Sequence, residues 1–358
     1  MTTIMIMAGG TGGHVFPALA VARALRDRGV QIVWLGTREG IEARVVPAAG
    51  FELETISIRG VRGGGLLRWL LLPVRLNIAM FQALRILRRR KPQAVLAMGG
   101  FASGPGSLMA SALRIPLLIH EQNAIAGLTN RWLVLIADIV MAGFPAAFGE
   151  RHGVRVVGNP VRQEIAALPP PRERLTEHAG RLRLLVIGGS QGARVFNQVV
   201  PEAVRALPEA NRPQVWHQTG QREEAAVAAS YRAFLADAKV AAFIEDMAAA
   251  YAWADVVVCR AGAMTIAELA AAGVAAILVP FPHATDDHQS ANARFLEVRD
   301  AALLVTQTEF TVARLAELLT SLAANRALLR RLAVNARTCA TTDATETVAQ
   351  LCLEASHA

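Results

Sequence analysis

Residues Ile4 to Pro17 read IMIMAGGTGGHVFP, and the changes of character along that stretch point to the fold. Ile4 to Ala8 is a short apolar run, five Gly or Thr positions follow (Gly9, Gly10, Thr11, Gly12, Gly13), and apolar residues return at helical spacing at Val15, Leu19, Ala22 and Leu25. The pattern is a strand, a tight turn and a helix. Glycines let a backbone come close to a bulky anion and adopt positive φ, and the first N–H groups of the helix attract negative charge. A phosphate-bearing ligand suits such a turn. Its glycines do not fall as G-x-G-x-x-G, and no Lys-Ser or Lys-Thr pair follows as in a P-loop. His14 stands where turn becomes helix. It is either a general base facing the ligand or a residue that merely caps or packs.

The same pattern returns in the second half, with Leu182 to Ile187 as a strand, Gly188-Gly189-Ser190-Gln191-Gly192 as a turn and a helix from about Ala193. A length of 358 residues favours two domains. In the first, Ile32–Leu35, Leu53–Ile56, Ala94–Met98, Leu117–Ile119 and Ile139–Met141 are strand-like runs between helical patterns. In the second, Val215–His217, Val240–Ile244, Val256–Cys259 and Ala276–Val279 continue the series. This alternation predicts the α/β class, with parallel sheets covered on both faces and a cleft between two similar domains. Gly158-Asn159-Pro160 closes the first series, and Leu168 to Arg172 (LPPPR) reads as a stiff connector. The expected division is a first domain at 1–160, a linker at 161–175, a second domain at 176–340, and a helix at 341–358 that packs back on the first domain.

Ligands of open α/β sheets bind outside the carboxyl ends of the strands, and several polar segments fall there. They are a second glycine loop at Gly99 to Gly106 (GGFASGPG), HEQN at His120 to Asn123, and Arg260 to Glu268 (RAGAMTIAE), another glycine turn into a helix. Glu268, about one turn inside that helix, is placed either to accept from a ribose diol or to complement the helix dipole. Pro280 to Asn292 (PFPHATDDHQSAN) crowds His283, Asp286, Asp287, His288, Gln289 and Asn292 together. No cysteine or H-E-x-x-H stands nearby, so sugar hydroxyls are a better guest than a metal, and Asp286 is a possible N-cap.

Hydrophobic residues make up 53% of the chain, and the mean hydropathy is +0.34. Yet no apolar run reaches the roughly 18 to 20 residues that cross a bilayer; Leu66 to Val74 comes nearest and Arg68 interrupts it. The start of the chain lacks the pattern of a secretion signal, so a cytoplasmic location is expected. Cys259, Cys339 and Cys352, an odd number without C-x-x-C spacing, read as small buried residues. The formal charge of +8 is concentrated, because no Asp or Glu occurs between Glu54 and Glu121 while Arg59, Arg62, Arg68, Arg75, Arg85, Arg88, Arg89, Arg90, Lys91 and Arg114 do. Such a field attracts nucleic acid, anionic lipid or an anionic substrate. Leu66, Leu67, Trp69, Leu70, Leu71, Leu72, Ile78 and Phe81 lie among those cations. That mixture fits a segment resting on a membrane surface, or equally a core helix with a basic flank.

Taken together, GGTGGH, GGFASGPG, HEQN, GNPVR (Gly158 to Arg162), GGSQGAR (Gly188 to Arg194), FIEDM (Phe243 to Met247), CRAGAMTIAE (Cys259 to Glu268) and DDHQSANA resemble the MurG family of bacterial glycosyltransferases, family 28, in order and over essentially the whole chain. The resemblance implies a GT-B fold of two Rossmann-like domains facing each other across a cleft. It implies inverting transfer of N-acetylglucosamine from UDP-GlcNAc to the muramyl C4 hydroxyl of lipid I, giving lipid II for peptidoglycan. The first domain would then take the lipid acceptor and the second the donor.

The implied catalytic residues are His14, as base, with Glu121 and Asn123. The implied donor site comprises Thr11, Gly12, Gly13, Asn123, Arg162, Ser190, Ile244, Ala263, Met264, Thr265, Ile266, Ala267, Glu268, Gln289 and Asn292. Within it, Ser190, Arg162 and the helix beginning near Ala263 face the diphosphate, Ile244 the uracil, Glu268 the ribose, and Gln289 with Asn292 the sugar hydroxyls. Gly12, Gly13, His14, Gly99, Gly100, Ser103 and Gly104 would border the acceptor diphosphate, and Leu66, Leu67, Arg68, Trp69, Leu70, Arg75 and Phe81 the membrane. Ala261 and Ala267 stand where relatives can carry Ser, and Phe101 where Tyr occurs, which removes hydroxyl contacts. The implied partners are UDP-GlcNAc, lipid I, the anionic cytoplasmic face of the inner membrane and other cell-wall synthesis proteins, without nucleic acid. No tightly bound cofactor is implied, and Mg2+ would only stimulate. Two alternatives stay open: a UDP-sugar epimerase on the same fold, and a basic nucleic-acid-binding α/β protein.

Overall fold

The structure, a computed structural model, describes residues 2–58, 71–175, 180–189 and 191–357. It divides into two compact units, Met1–Val161 with Thr341–Ala358, and Arg162–Ala340. Residues 59–70, which include Arg59, Arg62, Leu66, Leu67, Arg68, Trp69 and Leu70 of the basic apolar segment, residues 176–179 and Ser190 lie outside the described residues.

In the first unit the elements run β1 (Thr3–Ala8), α1 (Gly12–Asp27), β2 (Gln31–Gly36), α2 (Glu42–Ala48), β3 (Glu52–Thr55), α3 (Leu72–Arg90), β4 (Ala94–Gly99), α4 (Ser103–Ala112), β5 (Leu117–Glu121), α5 (Leu128–Leu133), β6 (Ile139–Ala142) and β7 (Val154–Val156). The strands form a parallel sheet in the order β3-β2-β1-β4-β5-β6-β7. Because successive strand side chains point to opposite faces, β1 feeds two cores. Ile4 and Ile6 pack with Val15, Leu19 and Leu25 of α1, whereas Met5 and Met7 pack with Ala79, Ala83 and Leu87 of α3. Burial on both faces is why β1 is an unbroken apolar run and does not alternate with polar residues. The C-terminal helix Ala344–His357 adds Val348, Ala349 and Cys352 to the α1 side of this core.

The second unit contains α6 (Gln163–Ala166), α7 (Pro171–Arg174), β8 (Arg183–Ile187), α8 (Arg194–Ala206), β9 (Gln214–Gln218), α9 (Glu224–Arg232), β10 (Lys239–Ala241), α10 (Met247–Trp253), β11 (Val256–Cys259), α11 (Ala263–Ala272), β12 (Ala275–Leu278), α12 (His288–Glu297), β13 (Leu303–Leu304), α13 (Val312–Ala324) and α14 (Arg326–Thr338). Its parallel sheet is ordered β10-β9-β8-β11-β12-β13. Each sheet thus reverses its strand order beside its first strand, between β1 and β4 and between β8 and β11. Those reversals open the crevices where the glycine turns sit.

The fold departs from the sequence-based expectations at four places. The strand expected at Val240–Ile244 is only Lys239–Ala241, and two short edge strands, β7 and β13, add to the expected set. The proline-rich stretch read as a connector is packed within the second unit. Arg174 donates to the carbonyls of Tyr251, Ala272 and Gly273 at 2.7, 2.8 and 2.7 Å, satisfying acceptors near the C-terminal ends of α10 and α11. Cys259 and Cys352 are buried but Cys339 is only half-buried, its thiol donating to the Asn335 carbonyl at 3.2 Å.

Candidate functional site

In the first unit the two glycine loops meet at the β1–β4 reversal. The Gly9 N–H donates to the Gly99 carbonyl at 3.2 Å. Gly100 has φ +92, and a Cβ there would collide with the Gly9 backbone, so only glycine permits the approach. The His14 ring lies over Gly99, its Nδ1 3.3 Å from the Gly9 carbonyl and 3.4 Å from Thr11 Oγ1. Half-buried at the start of α1, His14 is therefore seated by both loops. Gly12 and Gly13 occupy the first turn of the helix, where N–H groups have no intrahelical acceptor. Ser103 differs from expectation. Its hydroxyl is fully buried and engages the Met7 and Gly99 carbonyls at 3.0 and 2.7 Å, so it ties β1 to β4 instead of lining a ligand surface.

HEQN also turns inward. His120 is fully buried, and burial pulls its imidazole below the ordinary histidine range, so it is neutral. Its Nε2 donates to the Gly158 carbonyl at 2.9 Å, and its Nδ1 accepts from Gln122 at 3.1 Å. Glu121, expected in the catalytic set, accepts from the Asn123 and Gly127 N–H groups at 2.9 and 3.0 Å and from Asn130 Nδ2 at 2.9 Å. Both oxygens are thereby occupied, and the carboxylate acts as the clamp that shapes the loop. Asn123 is held by the same group, its Nδ2 3.2 Å from Glu121 Oε1.

In the second unit a cavity of about 750 Å³ opens at the β8–β11 reversal, lined by Gly188, Gly189 and Gly192, the first residues of α8, and Gly262 and Thr265 at the start of α11. A turn and two helix N-termini converge on it, which concentrates positive potential. Gly192 has φ +74, and its missing Cβ lets the turn press on the Thr219 carbonyl. Arg260 and Gln307, neither singled out from sequence, complete the wall. The Arg260 guanidinium donates to the Val279 and Pro280 carbonyls at 3.1 and 3.2 Å and to Gln307 Oε1 at 2.7 Å, between the Phe196 and Phe281 rings. Its signal was present in sequence as a cation immediately ahead of a glycine turn.

Gln289 lines the same cavity, its Oε1 accepting from the Phe281 N–H at 2.9 Å. Asn292, expected beside it on sugar hydroxyls, is fully buried and donates to the Ala261 carbonyl at 3.1 Å, which fixes the turn before α11. Asp286 is not the cap of α12. That position belongs to Asp287, and both aspartates have positive φ. Arg162 and Glu268 meet each other, 2.9 Å apart, and Tyr251 donates to the other Glu268 oxygen at 3.2 Å. Burial raises the Glu268 carboxyl above the ordinary range, partly offset by Arg162 and by the Tyr251 hydrogen bond. Arg162 is thus directed at Glu268, where the sequence reading had it on a diphosphate. Ile244 is buried in the loop ahead of α10.

Two parallel-sheet domains, each with a glycine turn at its strand reversal, define the GT-B class. Residues 4–142 match the glycosyltransferase family 28 N-terminal domain and residues 183–350 the family 28 C-terminal domain. The chain is 54% identical to the UDP-N-acetylglucosamine--N-acetylmuramyl-(pentapeptide) pyrophosphoryl-undecaprenol N-acetylglucosamine transferase of Nitrosococcus oceani, over 98% of each chain. It is 53% identical to the enzyme of the same name from Dechloromonas aromatica, again over 98% of each. Among solved structures, Acinetobacter baumannii MurG superposes with a TM-score of 0.86 at 42% identity, over 99% of this chain and 100% of that one. The chain belongs to glycosyltransferase family 28.

Proposed function

We propose that this glycosyltransferase moves N-acetylglucosamine from UDP-GlcNAc to the C4 hydroxyl of the muramyl sugar of lipid I, giving lipid II for peptidoglycan. The observation that carries the reading is full-length identity of 54% to a transferase so named. The cavity at the β8–β11 reversal supports it, being of a size and polarity for a nucleotide diphosphate. The epimerase and nucleic-acid alternatives are not favoured by these relatives.

The acceptor oxygen attacks the anomeric carbon on the face opposite UDP, the bond from that carbon to the β-phosphate oxygen breaks, and UDP leaves with the electron pair. His14 takes the proton from the attacking hydroxyl. Charge growing on the departing diphosphate meets the turn at Gly188–Gly192, the N-termini of α8 and α11, and Arg260. Glu268, preorganised by Arg162 and Tyr251, accepts from the ribose diol. Gln289 offers its amide nitrogen to sugar hydroxyls, and Ile244 packs by the uracil. Helix ends and Arg260 supply the charge for which a tightly bound metal would otherwise serve, so magnesium acts only from solution.

The acceptor's lipid tail stays in the bilayer, so the first unit docks on the cytoplasmic face of the inner membrane. Val74, Ile78 and Phe81 form an exposed apolar stripe on α3, and Arg75 and Arg85 are exposed on the same helix. No described helix is long and apolar enough to cross a membrane. The test supplies labelled UDP-GlcNAc and vesicle-embedded lipid I. Label in a lipid-extractable product is the expected result. Conversion of UDP-GlcNAc to another UDP-sugar, with none in lipid, would replace this reading with the epimerase.

A further inference from the structure

Glu42 has no place in the chemistry above, yet it is a fully buried carboxylate at the first residue of α2. Its Oε2 accepts from the Gly10 N–H at 2.9 Å, and its Oε1 accepts from the Thr37 N–H and hydroxyl at 2.9 and 2.7 Å. A Cβ on Gly9, Gly36 or Gly40 would collide with its side chain, so three glycines make the space it fills. No cation pairs with it among the described residues. Burying a carboxylate on neutral donors alone is costly, and an apolar side chain would fill the space more cheaply.

The bond to Gly10 has a particular consequence. The Gly10 N–H and the Gly9 carbonyl belong to one planar trans peptide, so they point in opposite directions. Glu42 holds one end, and His14 Nδ1 lies 3.3 Å from the other. A carbonyl oxygen can only accept, so the contact to Gly9 is a hydrogen bond only with the proton on Nδ1, an arrangement in which Thr11 Oγ1 at 3.4 Å also accepts and the basic lone pair is the one on Nε2. We propose that Glu42 is a positioning residue that acts through the Gly9–Gly10 peptide to fix the tautomer and raise the basicity of His14. The peptide stands between carboxylate and imidazole, in the place that a direct contact has in a Ser-His-Asp triad. Polarising the N–H by an anion strengthens the carbonyl at the other end as an acceptor. This rests on the reading of His14 as the base.

The test has three arms. In Glu42→Gln, which keeps the volume and removes the charge, kcat on a water-soluble acceptor should fall roughly 10-fold or more, with the donor KM within about twofold of wild type. The acidic limb of the kcat profile should also move to lower pH, because the base loses its anionic support. Wild-type kcat with an unmoved limb in a folded Glu42→Gln protein overturns the proposal, and so does a matching rise in donor KM. The second arm needs no variant: 15N NMR of histidine-labelled wild type, with the His14 signal assigned by its loss in His14→Ala, should show the Nδ1–H tautomer. An Nε2–H tautomer overturns the relay even if Glu42→Gln does not fold. Third, undiminished turnover in His14→Ala would break the base assignment itself, while the NMR arm still decides whether the peptide holds the ring.

Discussion

The glycine turns of the two units follow the same recipe, a buried strand before and a helix after, and they differ in the charge set against them. The first turn has the Glu42 carboxylate behind it and a second glycine loop beside it. The second is braced by uncharged groups, with Gln218 donating to the Gly189 carbonyl at 2.8 Å, and shares its cavity with the Arg260 guanidinium. Backbone geometry therefore suits both turns to an anion, and in the mechanism proposed above the neighbouring side chain sets which reaction step each assists. A carboxylate favours a group that must gain a proton. A guanidinium favours a diphosphate that must leave with added charge.

The largest effects should come from removing the group that each turn serves. His14→Ala should lower kcat by about 10²-fold or more, the scale of a lost general base, with donor affinity nearly unchanged because the cavity proposed for the donor lies in the other unit. Near-normal turnover at saturating substrates would erase the contrast between the turns. Arg260→Gln should weaken UDP binding by about 2 to 3 kcal/mol, since a charge-assisted contact is lost. Arg260→Lys should recover part of that, keeping the charge without the fork that braces Val279, Pro280 and Gln307. Equal affinity in all three proteins, measured by calorimetry, would show that the helix ends and Arg194, which lines the same cavity, hold the diphosphate without Arg260.

Glu268 tests the second unit more finely. Glu268→Ala should weaken UDP-GlcNAc binding by about 1 to 3 kcal/mol, whereas the 2′,3′-dideoxy analogue should bind wild type and variant alike. Because burial raises its carboxyl above the ordinary range, affinity for UDP-GlcNAc should fall as pH drops through that raised value, earlier than for an exposed carboxylate. The sign for stability is the reverse. An acid with a raised folded pKa contributes stability at low pH that is lost as pH rises, so Glu268→Gln should melt at a higher temperature near neutral pH while binding nucleotide less well. A lower melting temperature, or the same affinity loss for the dideoxy nucleotide, would make Glu268 a folding residue.

The strands were legible because burial on both faces writes them as apolar runs such as Ile4–Ala8 and Val256–Cys259, and the turns because Gly100 and Gly192 admit no side chain. Side-chain destinations were not legible. HEQN and Ser103 look like a polar site from sequence, but a polar residue after a buried strand can as readily satisfy backbone groups beneath a loop, as His120, Glu121 and Ser103 do. Glu42 was hidden for the opposite reason. An acidic residue in the first turn of a helix is ordinary in sequence, and only the fold brings it to Gly10, 32 residues away. Arg162 and Glu268, 106 residues apart, were each assigned to a ligand when part of what they bind is each other.

The units differ also at their surfaces, and the smallest expected effect lies there. Twelve of the sixteen large apolar side chains exposed among the described residues belong to the first unit. Val74, Ile78 and Phe81 recur at helical spacing on α3 and form one stripe, and Leu128 and Trp132, one turn apart on α5, form a shorter one. A stripe of three such residues can bury a few hundred square ångströms in a lipid interface, and each nearby cation adds on the order of 1 kcal/mol on an anionic surface. Replacing Ile78 and Phe81 with Ser should therefore lower binding to anionic vesicles and turnover of embedded acceptor severalfold, while sparing turnover of a soluble short-chain acceptor. The α3 residues that hold the fold, Ala79, Ala83, Ile86 and Leu87, face the core and are untouched, so melting should change little. Adding Trp132→Ser should deepen the loss if both stripes meet one surface. A folded Ile78, Phe81 double variant that still sediments normally with anionic vesicles would leave the basic residues to act on the acceptor diphosphate alone, and the contrast between the two units would then be one of substrate charge and not of membrane contact.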